Sequence, residues 1–196
     1  MIGFVNRSRT VITAMSLLSV LALGACSDDD PEPKFAPPPS STAPSSPSTT
    51  AVSGPVEPTM PAAARGDDAA AAEAFVKFYW EMADYAQETG DVAGLAALSP
   101  KGCKACQQVL DFLESVYRRD GHIRGGETKI SDASTAPVGS EGNLLVVRYV
   151  LANSHQVVDL PGTKRDEEYE AGTVRIETIV RLTANGWRIE YWDKQT

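Results

Sequence analysis

Cys103 and Cys106 are the residues whose type and spacing most directly specify chemistry in this chain. They form a Cys-x-x-Cys pair at the head of an apolar, helix-periodic segment. Residues i and i+3 of a helix lie about 5 Å apart at Cα, inside the span a disulfide accepts. A structural disulfide, a thioredoxin-like redox site and half of a zinc site all share this spacing. The redox site follows a strand in a βαβ pattern, which is missing before Cys103. Zinc needs two further ligands, and the spacing of the two histidines, His122 and His155, suggests no convergence. We therefore expect a structural disulfide, with no metal and no cofactor. No nucleophile elbow, His-Glu-x-x-His pair or Gly-rich phosphate loop is present, so no catalytic residue is assigned. Tyr79, Arg148, Tyr149 and Tyr191 are the candidates for lining a pocket. Arg148 interrupts an otherwise apolar run. It either snorkels with its stem packed or stands in a pocket to hold an acidic ligand. Asp84 falls on the polar stripe of its helix, which argues against a buried base.

The remaining cysteine, Cys26, lies near the N-terminus. A leader with Arg7, Arg9 and no acid precedes an apolar run from Val11 to Leu23. A run this short does not span a bilayer, which needs about 20 apolar residues; the pattern is that of a secretory signal peptide. Its end, Leu23-Gly24-Ala25-Cys26, resembles the lipobox of bacterial lipoproteins. That resemblance implies a diacylglycerol on the Cys26 thiol, cleavage of residues 1–25, and location on the outer face of the cytoplasmic membrane. The lipid bilayer is then one partner, held through acylated Cys26. Two acyl chains hold a protein far longer than one. The oxidising compartment outside the membrane also favours the Cys103–Cys106 disulfide. With 18 Lys and Arg against 26 Asp and Glu, the net charge is −8. An acidic body is repelled from anionic lipid and is not a nucleic-acid binder, which needs a basic face.

Ten of the 13 prolines fall between Pro31 and Pro61, with Ser, Thr and Ala between them. Such a stretch has no apolar period with which to offset ordering entropy. Residues 26–66 are read as a disordered, semi-rigid tether. Asp28, Asp29 and Asp30 form a solvated charge run in it, and Thr42, Ser45, Ser46, Thr49 and Thr50 are candidate O-glycan acceptors.

Residues 67–196 have the length of one domain. Asp67 or Asp68 can cap a helix whose apolar face is Phe75, Phe78, Tyr79, Met82 and Ala86, with Lys77, Glu81, Asp84 and Glu88 on the wet face. Gly90 ends it. A short helix runs from Asp91 through Ala97, and a third carries Cys106, Val109, Leu110, Leu113, Val116 and Tyr117, with Arg118 and Arg119 in its last turn. The period then becomes two. Thr128–Ser131 is a short polar strand, and Leu144–Leu151 has the apolar character of a central strand. Val174–Leu182 and Trp187–Trp192 alternate on either side of an Asn185-Gly186 turn. Three helices followed by an antiparallel meander of about four strands make an α+β domain.

That order resembles the nuclear-transport-factor-like cone, shared with ketosteroid-isomerase-like and polyketide-cyclase-like proteins. The resemblance implies a curved sheet wrapped on the first helix, with a pocket at its wide end. The segments Ala74–Tyr79, Asp84–Asp91, Leu95–Pro100 and Cys103–Cys106 resemble an uncharacterised actinobacterial lipoprotein family, a domain of unknown function. They cover the helical half closely and imply location and fold, but no activity. The functional expectation is a non-enzymatic, membrane-anchored domain that binds an envelope protein, a cell-wall component or a small ligand. The alternative is a small-molecule enzyme with a ketosteroid-isomerase-like pocket.

Overall fold

The computed structural model describes residues 54–140 and 142–195. The expected signal peptide, the acylation site Cys26 and the tether as far as residue 53 lie outside the described residues. Packing begins ahead of the expected boundary at 67. A 3-10 turn, Ala62–Arg65, buries Ala64 in the core. The carbonyl of Gly66 accepts a 2.9 Å hydrogen bond from the Trp187 indole.

Helix α1 (Ala69–Thr89) starts where the Asp68 carboxylate accepts from the Ala71 amide at 2.8 Å. It stops at Gly90, whose φ of 77° is left-handed and whose amide closes on the Ala86 carbonyl. Glycine adopts that conformation without a Cβ penalty. The buried side of α1 is wider than one stripe, because Ala71, Ala72, Val76, Trp80 and Ala83 are buried together with the five residues of the expected face. Such a width suits a helix enclosed by neighbours on several sides. Asp84 is not on the wet side, since β2 crosses over it. Helix α2 (Ala93–Leu98) is short, with Asp91 accepting from the Ala93 amide. Helix α3 (Lys104–Tyr117) buries Cys106, Leu110, Leu113 and Val116. Arg118 and Arg119 lie beyond its last residue, where Arg119 donates to the Ser115 carbonyl.

Seven strands follow: β1 (His122–Gly125), β2 (Thr128–Pro137), β3 (Leu144–Asn153), β4 (Gln156–Asp159), β5 (Glu167–Tyr169), β6 (Gly172–Thr183) and β7 (Gly186–Gln195). The expected meander is the four-stranded antiparallel sheet β2-β3-β6-β7. The three short strands form a second sheet, β1-β4-β5. They were not legible as strands because each has only three or four residues, too few to display a period. The polar strand runs on from Ser131 to Pro137 through a register shift at Asp132, whose φ is 52°. In the hairpin between β6 and β7, Thr183 pairs with Gly186, whose φ is 97°.

The inner face of the large sheet presents Val147, Tyr149, Leu151, Ile176, Thr178, Val180, Trp187 and Ile189, all buried, and all but Thr178 belong to one apolar core with Phe75, Tyr79 and Leu113. Cys103 and Cys106 are joined as expected, with Cα atoms 5.3 Å apart and both side chains fully buried.

Candidate functional site

Tyr79 and Tyr149 are brought together in the interior, and residues not singled out from the sequence connect them. Trp80 is buried on α1, and its indole N–H donates to the Tyr149 hydroxyl at 2.7 Å. That hydroxyl also pairs with Thr178 Oγ1 at 2.9 Å. Burial pushes the Tyr149 phenol up to about 12, against the hydrogen bonds from Thr178 and Trp80, so it stays a neutral hydroxyl at any physiological pH. The Tyr79 ring meets Trp80 edge-on at 5.7 Å, and Trp80 is 5.5 Å from Trp192.

The Tyr79 hydroxyl is nearly fully buried. Burial raises its pKa, and nearby Ser99 and Trp192 offset part of that rise. The Tyr79 hydroxyl, the Ser99 hydroxyl and the Trp192 indole N–H are buried, and none makes a well-formed hydrogen bond. These groups can hold an oxygen atom by hydrogen bonds. None is a base or nucleophile at neutral pH.

Arg148 and Tyr191 lie elsewhere. Side chains alternate across a strand, so Arg148 points away from the face that carries Val147 and Tyr149. It is half-exposed, and its Nε lies 2.8 Å from the Glu177 carboxylate on β6. Of the two readings of Arg148, the pocket cation therefore fails, and the residue forms an outer-face ion pair. Tyr191 is 42% exposed and donates to Asp193 at 2.7 Å. It belongs to the outer face too, across from Ile179.

Asp84 is a carboxylate whose pKa is raised. It accepts from the Thr128 amide and the Thr128 hydroxyl, each at 3.0 Å. Burial pushes its pKa up to about 6; the Thr128 hydrogen bonds lower it, and Glu127 and Glu81 add a smaller upward push. Its polar stripe hid this, since only the chain path of β2 covers it. Thr178 could have been found from sequence, as a hydroxyl at an inward position between Ile176 and Val180. Among the described residues no cluster of His, Cys, Asp and Glu could hold a metal ion, and no helix is long and apolar enough to cross a membrane.

Residues 43–193 match the model of a family of unknown function, DUF6318. The chain belongs to DUF6318. No curated protein matches it. Among solved structures, the intermembrane space region of the chloroplast protein ARC6 is similar at a TM-score of 0.52 and 15% identity, over 66% of this chain and 97% of that one. An uncharacterised Caulobacter vibrioides protein with a cystatin-like fold is similar at 0.44 and 11% identity, over 66% and 89%. ActVI-ORFA of Streptomyces coelicolor is similar at 0.41 and 12% identity, over 63% and 95%. At this identity the ARC6 likeness establishes the fold alone, and this DUF6318 chain has the nuclear-transport-factor-like cone expected from its element order.

Proposed function

We propose that this DUF6318 chain is an extracytoplasmic lipoprotein, anchored by acylated Cys26, whose cone domain binds a protein, a cell-wall component or a small ligand without transforming it. The observation that carries the binding reading is the state of the interior tyrosines. Tyr149 is locked between Trp80 and Thr178, and Tyr79 packs edge-on against Trp80, so both act as core residues with polar tips. The anchoring reading rests on Leu23-Gly24-Ala25-Cys26 behind its basic and apolar leader. The buried Cys103–Cys106 disulfide supports it, because such bonds persist in oxidising compartments. An enzyme of the ketosteroid-isomerase type needs a base that faces its substrate. The raised pKa of Asp84 favours that second reading, but both of its hydrogen bonds go to Thr128, on the strand that covers it.

Mass spectrometry of the natively produced chain tests the anchor. The expected species begins at Cys26 and carries a diacylglycerol; Cys26→Ala releases the chain from the membrane fraction. An intact leader or an unmodified Cys26 would overturn the anchoring reading. Turnover of a small carbonyl substrate that disappears in Asp84→Asn would overturn the non-enzymatic one.

A further inference from the structure

We propose that the outer face of the large sheet carries a carboxylate-binding subsite centred on Arg175. This gives a ligand class to the binding reading above and rests on it, but it is independent of the anchor at Cys26.

The proposal comes from the charge pairing across that face. Arg148 is neutralised by Glu177 at 2.8 Å. Arg181 and Arg188 share Glu190 at 3.1 and 3.6 Å. Asp193 is taken by the Tyr191 hydroxyl at 2.7 Å and the Lys194 amide at 2.8 Å. Arg175 is exposed on the same face, and no carboxylate pairs with it among the described residues. In a chain of net charge −8, an arginine that no described carboxylate pairs with, beside arginines that are paired, marks a place where an anion is accepted.

The surroundings fit. In the sheet register Arg175 lies between Val150 of β3 and Gln195 of β7. A groove of about 340 Å³ is lined by Val150, Thr173, Val174, Arg175 and Gln195. Its polar members, a guanidinium, a carboxamide and a hydroxyl, all donate hydrogen bonds. No acid lines it, so cations are disfavoured. A guanidinium fork matches a planar carboxylate with two parallel hydrogen bonds. Val150, on the same outer face, offers apolar contact to a short stem beside that carboxylate, whereas Val174 lies opposite Leu151 and packs against the core. The ligand class is a small carboxylate with a short apolar substituent, either a free acid or the C-terminus of a peptide. The acidic-ligand role considered for Arg148 thus falls to Arg175, two register positions away on the adjacent strand.

The test is a titration of the detergent-solubilised full chain with sodium acetate, with N-acetyl-alanyl-alanine and with its C-terminal amide, followed by NMR at Val150, Thr173, Val174 and Gln195. At so exposed a site the expected affinity of the better acid is roughly millimolar. The amide and the Arg175→Gln variant should each weaken binding by about tenfold or more, and Arg175→Lys should fall between, because it keeps the charge without the fork. Stronger binding of the dipeptide than of acetate assigns the site to peptide ends, and equal binding assigns it to free acids. Arg175→Gln should melt like the parent chain, since it breaks no ion pair among the described residues. The absence of shifts at these four residues, equal binding of acid and amide, or unchanged binding by Arg175→Gln would each overturn the subsite. None of these outcomes bears on acylation of Cys26.

Discussion

Asp84 offers the sharpest test of the packing. Its carboxyl pKa lies at about 6 in the folded chain, against 3.8 for an unperturbed aspartate. At about 1.36 kcal/mol per pH unit, that difference makes the ionised form cost the folded state roughly 3 kcal/mol relative to the protonated one. The sign follows from proton linkage: between 3.8 and about 6 the folded state holds a proton that the unfolded state has released, so this group adds stability as pH falls. The contribution is complete below the unfolded value and is lost as pH rises through about 6. Asp84→Asn mimics the protonated form, and its amide oxygen can still accept from the Thr128 amide. It should therefore be more stable than the parent at neutral pH, by up to roughly 3 kcal/mol, and the advantage should vanish below the unfolded value. Urea unfolding of both chains over a pH series measures this, and the difference between the two curves isolates Asp84. The isolation is needed because hydrogen bonds from Ser154 and Tyr191 hold Glu127 and Asp193 low, and such groups lose stability as pH falls. A variant less stable than the parent at neutral pH, with a flat difference curve, would refute the reasoning that burial outweighs the Thr128 hydrogen bonds.

Other changes have equally definite outcomes. Tyr149→Phe removes the acceptor of the buried Trp80 indole and should cost about 1–3 kcal/mol in urea unfolding, without a change in the far-ultraviolet spectrum. Gly90→Ala should be strongly destabilising: φ is 77°, and the added Cβ would meet the Tyr117 ring at 2.5 Å. Its effect should exceed the roughly 1 kcal/mol by which Gly→Ala stabilises a compatible site, and be opposite in sign. The Cys103–Cys106 disulfide closes so small a loop that reducing it, or replacing both residues by Ser, should cost no more than roughly 2 kcal/mol. Hydrogen exchange should then speed up mainly in the first turn of α3. A chain beginning at residue 67 loses buried Ala64 and the Gly66 acceptor of Trp187; it should unfold at lower urea than one beginning at residue 54, by about 1–3 kcal/mol.

Much of the domain was written locally. The helix faces of α1 and α3, the stop at Gly90, the Asn185-Gly186 hairpin and the reach of a disulfide from Cys103 to Cys106 depend on residues a few positions apart, and the period of the apolar residues records them. Three of the four long strands were legible for the same reason, and β2 only over Thr128–Ser131 of its ten residues; with the helices before them they indicated the α+β class, and it was the resemblance of that order to a known family that implied the cone.

The sites were not local. Leu144–Leu151 is apolar on both faces, so its period could not say which face looks inward; β6 pairing and α1 packing put Val147 and Tyr149 inside and left Arg148 to Glu177. Tyr191 lay outside for the same cause. Asp84 changed from a solvated acid to a buried one because β2, 44 residues later in sequence, lays Thr128 across it. Arg175 stood out as an arginine with no carboxylate partner among the described residues only once the pairs Arg148–Glu177 and Arg181–Glu190 were in place. Local periodicity thus determined the elements, whereas burial and charge pairing belong to contacts between distant segments, and only the tertiary structure decided them.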